Sequence, residues 1–203
     1  YKSSPHSFNV SDAYYGIALQ LITYLDVAVT DLSQAQGKEI RPAGAYYLHV
    51  HNPVLKEPKN IEKDLLKAYQ YDGLFAKEPE LYDQLDQSLG EKESSLLFPI
   101  KKDKDGQTVI VSQSKDKFYE LDEIELLREY NREKIRRAGN QIISGEIKLN
   151  PTYKDNQRIA CQHCPFRSVC KFDAMLKENN YHRLEKLTKE EVLKRMEEEL
   201  HDK

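Results

Sequence analysis

Three cysteines within ten positions constrain this chain more than any other feature of it. They stand in Cys161-Gln162-His163-Cys164-Pro165-Phe166-Arg167-Ser168-Val169-Cys170, and they are the only cysteines in the 203 residues. An odd, clustered set does not make a disulfide framework. A C-x2-C pair lets two thiolates reach one group from a tight turn. The third, further along, closes on the same group from the start of the next helix. Soft thiolate ligands select zinc or an iron–sulfur cluster. Zinc would complete its shell with His163 or His182, whereas a cubane cluster needs a fourth cysteine that the chain does not have. Three unrelated buried cysteines are the plain alternative, and the clustering argues against it.

The charge balance is close to even, with 34 acids, 31 bases and a net charge of −3. That excludes a uniformly basic nucleic-acid coat and leaves local patches open. The longest mostly apolar run, 17–29, is interrupted by Gln20, Thr23 and Asp26, so it does not read as a bilayer span. No signal peptide is legible, and the cysteine usage fits a reducing, cytoplasmic compartment. The opening Tyr1-Lys2-Ser3-Ser4 reads as the start of a piece cut from a longer polypeptide.

The pattern along the chain predicts a mixed α/β fold. A helix is expected over 12–29, capped by Ser11 or Asp12, with Ile17, Leu21, Tyr24, Leu25 and Ala28 at helical spacing. A strand is expected over 45–50 and helices over 61–70 and 79–88; a hairpin turns at 101–106. A long helix is expected over 121–144, with Ile124, Leu127, Ile135, Ala138 and Ile142 as its buried stripe and Gly145 as its stop. The charged end, 188–203, reads as a helix with a solvated face. The parts divide as 1–52, a mixed insertion at 53–117, the long helix and cysteine segment at 118–183, and the terminal helix at 184–203.

Other candidate residues carry two readings each. Gln20 and Tyr24 lie four apart and share a helix face, either as a functional pair or as a core tyrosine with an incidental polar neighbour. His49 and His51 would point to one face of a strand, as ligands or as structural residues. Arg132, Lys134, Arg136, Arg137, Arg158, Arg167 and Lys171 offer a DNA-backbone track, or for the 132–137 group a solvated helix face.

Taken together, Tyr1-Lys2-Ser3-Ser4, the Gln20-x-x-x-Tyr24 helix, the basic helix and C-x2-C-x5-C resemble the RecB-type nucleases that carry an iron–sulfur staple. Tyr47-Leu48-His49-Val50-His51-Asn52-Pro53 and Cys164 to Asp173 share that likeness, which covers nearly the whole chain. The resemblance implies an incomplete restriction-endonuclease-like α/β core, the carboxy-terminal part of a magnesium-dependent DNA exonuclease domain. It implies that Lys2 is the catalytic lysine, following a carboxylate and one intervening residue, and that Gln20 and Tyr24 line the site. It implies that Cys161, Cys164 and Cys170 are three ligands of a 4Fe–4S cluster whose fourth ligand lies outside this chain. The acid before Tyr1, the earlier metal carboxylates and the fourth cysteine are absent, so the piece alone is expected to be inactive and short of a complete cluster. The implied partners are double-stranded DNA ends, single-stranded DNA and a second helicase–nuclease protein. The complex of the two would use ATP, without a nucleotide site here.

Overall fold

The computed structural model describes residues 7–50, 53–57, 59–177 and 179–202. Elements follow in the order α1 (Val10–Tyr14), α2 (Gln20–Gln36), β1 (Gly44–Tyr47), α3 (Ile61–Ala68), β2 (Asp72–Ala76), α4 (Pro79–Leu85), β3 (Ile100–Lys102), β4 (Thr108–Ile110), β5 (Phe118–Tyr119) and α5 (Leu121–Ile143). After these come β6 (Thr152–Tyr153), α6 (Arg167–Cys170), β7 (His182–Arg183) and α7 (Lys189–His201).

The central sheet has the order β1-β2-β5, antiparallel then parallel. It draws one strand from each of the first three parts expected from the sequence, so β2, from the 53–117 segment, is its middle strand. The β1–β2 approach is close enough to require glycine. At Gly73, with φ +159°, an added Cβ would sit 2.1 Å from the Ala45 carbonyl oxygen. At Gly44, with φ +146°, it would sit 2.5 Å from the Leu74 carbonyl oxygen.

Both faces of the sheet are covered. On one, Leu74, Ala76 and Tyr119 pack with Leu21, Ile22, Leu25 and Val29 of α2, Ile124, Leu127 and Tyr130 of α5, and Val192, Leu193 and Met196 of α7. On the other, Phe75 and Phe118 stack at 5.1 Å, and Tyr82 of α4 meets Phe118 edge-on. The β3–β4 hairpin closes this second core through Ile100 and Ile110.

Four expectations change at this level. The 12–29 helix is two helices, because Gly16 at φ +82° ends α1 and its amide and that of Ile17 close back onto Ala13 and Asp12. The cap of α1 is Asn9, whose side chain accepts from the Asp12 amide, so neither Ser11 nor Asp12 holds that place. The buried stripe of α5 stops half-way. Ile124 and Leu127 are buried, but Ile135 and Ile142 are 46% and 78% exposed and Ala138 is exposed too. The terminal helix is also more than a solvated face. A capping box between Thr188 and Glu191 starts α7, and its apolar stripe enters the main core, each such side chain contributing about 1.5–3 kcal/mol.

Candidate functional site

Lys2 and His51 lie outside the described residues. The other candidates lie on the outer face of α2, after β1, along α5 and in the cysteine segment.

Gln20 is the first residue of α2, and its Nε2 donates to the Tyr24 hydroxyl at 2.8 Å. Tyr24 is 63% exposed, so it is not a core tyrosine. The helix buries Leu21, Ile22, Leu25 and Val29 instead, which turns positions 20 and 24 outward together. The register of α2 is pinned from beneath. Thr23 Oγ1 donates to the Leu19 carbonyl, and Asn131 Nδ2 of α5 donates to Thr23 Oγ1 at 3.1 Å. An exposed amide–phenol pair on a packed helix can hold a phosphate or a water at a fixed place without itself moving. His49 lies beyond the end of β1, so the shared strand face expected for it does not form at that position.

The cysteine segment is a loop tied at its base. Strands β6 and β7 pair in parallel, with the His182 amide donating to the Pro151 carbonyl and the Leu184 amide to the Tyr153 carbonyl. Cys161 ends a short 3-10 turn, Cys170 ends α6, and Lys171 at φ 46° reverses the chain there. All three cysteines line one cavity of 440 Å³, together with Gln157, Gln162 and Phe172. Arg158, Arg167 and Lys171 line it as well. These basic residues therefore share one cavity with the three cysteines, a placement the spacing alone did not show.

The basic residues of α5 are differently engaged. Arg132 grips Asp26 of α2 with two hydrogen bonds, and Arg128, whose side chain is 9% exposed, donates to the same carboxylate at 2.9 Å. Burial pushes the Asp26 carboxyl up, but the two guanidinium groups outweigh it and hold the group below the usual carboxylate range. Arg136 and Arg137 both donate to the buried Glu133, and Arg137 also reaches the Glu199 carbonyl. Lys134 lies over the rings of Tyr14 and Tyr130. Burial lowers the proton affinity of its amine. The 132–137 group thus has acidic and aromatic partners within the fold. Glu133 lies one turn before Arg136 and Arg137 on the same helix, whereas Asp26 and Glu199 come from α2 and α7 and are the partners that spacing did not reveal.

The donor sets bear on which metal groups fit. Among the described residues, no three His, Cys, Asp or Glu side chains gather closely enough to hold one metal ion. A zinc ion would need its thiolates about 2.3 Å away on all sides. His163 is exposed and His182 packs edge-on to Tyr15, and neither lines the cysteine cavity. A cluster that takes one thiolate per iron spreads its ligands more widely, and three cysteines around a shared cavity fit that pattern. For magnesium, the described residues do not assemble a carboxylate set.

No helix among the described residues is long and apolar enough to cross a membrane.

Comparison with known proteins agrees with the motifs. The chain is 55% identical over 198 residues to the B subunit of the ATP-dependent helicase/deoxyribonuclease of Enterococcus faecalis, covering 97% of this chain and 17% of that protein. It is 38% identical to the corresponding protein of Latilactobacillus sakei and 36% identical to that of Listeria welshimeri, again over 97% of this chain and 17% of each relative. The chain therefore spans about a sixth of the length of these relatives. Residues 1–171 match the PD-(D/E)XK nuclease superfamily, and with an α/β sheet covered on both faces to place those residues, the chain belongs to that superfamily.

Proposed function

We propose that the chain is part of the nuclease core of a helicase–nuclease protein that degrades DNA from double-strand ends during recombinational repair. The observation that carries this reading is the Gln20–Tyr24 pair, held outward on a pinned helix in a chain of the PD-(D/E)XK superfamily. Nucleases of this superfamily typically use a divalent metal, and magnesium when bound would neutralise charge developing on the phosphate and activate water. Cleavage belongs, in this proposal, to a longer protein containing the chain, because the described residues hold no carboxylate set. Lys2 is the proposed catalytic lysine. Gln20 would hydrogen-bond the metal–phosphate region, and Tyr24 would contact the DNA backbone.

Cys161, Cys164 and Cys170 are the proposed cluster ligands, with a structural rather than redox role, and a fourth ligand comes from elsewhere. Arg158, Arg167 and Lys171 are the favoured contacts for single-stranded DNA or the ends of duplexes, since their charge surrounds an open cavity. Arg136 and Arg137 remain proposed contacts of second rank, because Glu133 already holds them. The proposed partner is the helicase–nuclease AddA, with ATP consumed by the complex.

The test is Lys2→Ala in the full-length complex. Cleavage of linear duplex should fall by about 10²–10³, with ATP hydrolysis and partner binding unchanged. Cleavage at the normal rate would remove Lys2 from the site.

A further inference from the structure

The base of the cysteine loop grips α1 at two points. Lys154, just after β6, donates from Nζ to both carboxylate oxygens of Asp12, at 2.5 and 2.7 Å, from 142 positions away. The Tyr15 hydroxyl accepts from the Glu185 amide two residues beyond β7, and its ring meets His182 edge-on at 5.9 Å. Lys154 is itself held at a stiff corner. Its amide and carbonyl exchange hydrogen bonds with those of Gln157, at 3.0 and 2.8 Å, across Asp155 and Asn156, both at positive φ. Gln157 lines the cysteine cavity and accepts at 2.8 Å from Gln162, which stands between Cys161 and Cys164. On the other side, Asp12 leads to α2. Its carbonyl accepts from the amides of Ile17 at 2.8 Å and Ala18 at 3.3 Å, which closes the turn into that helix. Gln20 is the first residue of α2, and Leu19 before it supplies no side-chain cap. Asn131 pins the helix one turn further on, at Thr23, so the place of Gln20 depends on the turn that precedes it.

We propose that Lys154 is a positioning residue for the Gln20–Tyr24 pair, acting through Asp12, so that the fold of the cysteine segment sets the geometry of the nuclease site. The inference rests on the reading of Gln20 and Tyr24 as site residues. Hydrogen bonds between two ionised groups are short and strong, and two of them on one carboxylate fix both its place and its orientation. The same residue's carbonyl then fixes the turn before Gln20. A group displaced by about 1 Å from its productive place can cost a large factor in rate, even when the cause lies far from the chemistry. Lys154 and Asp12 touch neither DNA nor the reacting atoms in this arrangement.

The experiment compares the unaltered full-length complex with Lys154→Met, Lys154→Arg and Asp12→Asn, by cleavage kinetics on linear duplex and by hydrogen exchange. Methionine keeps the stem of the lysine and removes its charge. Lys154→Met should lower kcat for cleavage about tenfold, with the KM for DNA and ATP hydrolysis unchanged. Amides 17–20 should exchange about tenfold faster, as expected for a lost charged hydrogen bond, while those of 23–29 keep their rates. Asp12→Asn should match it, and combining the two should add nothing further. Lys154→Arg, which can still donate to the carboxylate, should keep most of the activity. Unchanged exchange at 17–20 would overturn the inference whatever the cleavage rate. So would losses that add in the double variant, an arginine variant as slow as the methionine one, or ATP hydrolysis falling in step with cleavage. Faster exchange beside normal cleavage, with Gln20→Ala also cutting normally, would overturn the reading of Gln20 itself, and this inference with it.

Discussion

Tyr14 and Tyr130 stack with ring centroids 5.6 Å apart, and both hydroxyls donate to one carboxylate, Glu199. Glu199 is near the end of α7, Tyr14 ends α1 and Tyr130 lies midway along α5, so one acid joins three helices. Glu199→Ala should lower stability by about 1–3 kcal/mol, because the buried Tyr130 hydroxyl is left without that acceptor. Glu199→Gln keeps an acceptor and should lose less. Urea unfolding of the two variants beside the unaltered chain would measure this, and equal losses would count against the hydrogen bonds as the cause.

Buried tyrosines, Tyr14 among them, set an alkaline limit. Burial, with Glu199 adding to it, pushes the Tyr14 phenol up to about 12, and burial alone pushes Tyr46 up to about 12. Each folded value lies above the unfolded one, so this contribution is fully present below about pH 10. It is lost as pH rises from there through about 12. Stability followed by circular dichroism should therefore fall across that window, together with tyrosinate absorbance. Early tyrosinate formation in fully folded protein would contradict it.

Asp26 joins α2 to α5 through Arg128 and Arg132. Asp26→Ala should destabilise by about 2–4 kcal/mol, since it strips a carboxylate from the mostly buried Arg128. Arg132, half exposed, should matter less, and Arg132→Ala should stay below about 1 kcal/mol. Chemical denaturation of both variants gives the order directly.

Two glycines with positive φ should respond differently to alanine. Gly73→Ala drives a Cβ into the Ala45 carbonyl and should cost several kcal/mol or prevent folding. Gly37→Ala, at φ +61° with nothing within 4 Å, should cost about 1–2 kcal/mol from backbone strain alone. Thermal melting of the pair separates steric contact from backbone preference.

Tyr24 is exposed and Gln20 half-buried, with their hydrogen bond at the surface, so Gln20→Ala and Tyr24→Phe should change stability by no more than about 0.5 kcal/mol. In the full-length complex both should still lower DNA cleavage, Gln20→Ala by less than Lys2→Ala. Variants that cut DNA at the normal rate would place the pair outside the site.

Local signals carried much of this molecule into the sequence. The periodicity of 121–144, the Gly145 stop, the hairpin around 101–106 and the C-x2-C-x5-C spacing depend on neighbours a few residues apart, and the structure places elements there. Spacing also put Gln20 and Tyr24 on one helix face, and their hydrogen bond follows from that. What tertiary structure decided is which faces meet. Periodicity marks an apolar stripe but not how far a partner extends along it, so Ile135 and Ile142 look like core and lie exposed. The charged residues of 188–203 hide a stripe that α5 and α1 bury. The basic residues of α5 look like a free track until α2 and α7 bring Asp26 to Arg132 and Glu199 to Arg137 from 106 and 62 positions away. The packing of Arg158 over the Tyr181 ring is of the same kind. Tyr181 and Arg158 are 23 positions apart in the sequence and meet only because β6 and β7 pair and close the loop between them, a long-range hydrogen-bonded contact that no local pattern encodes.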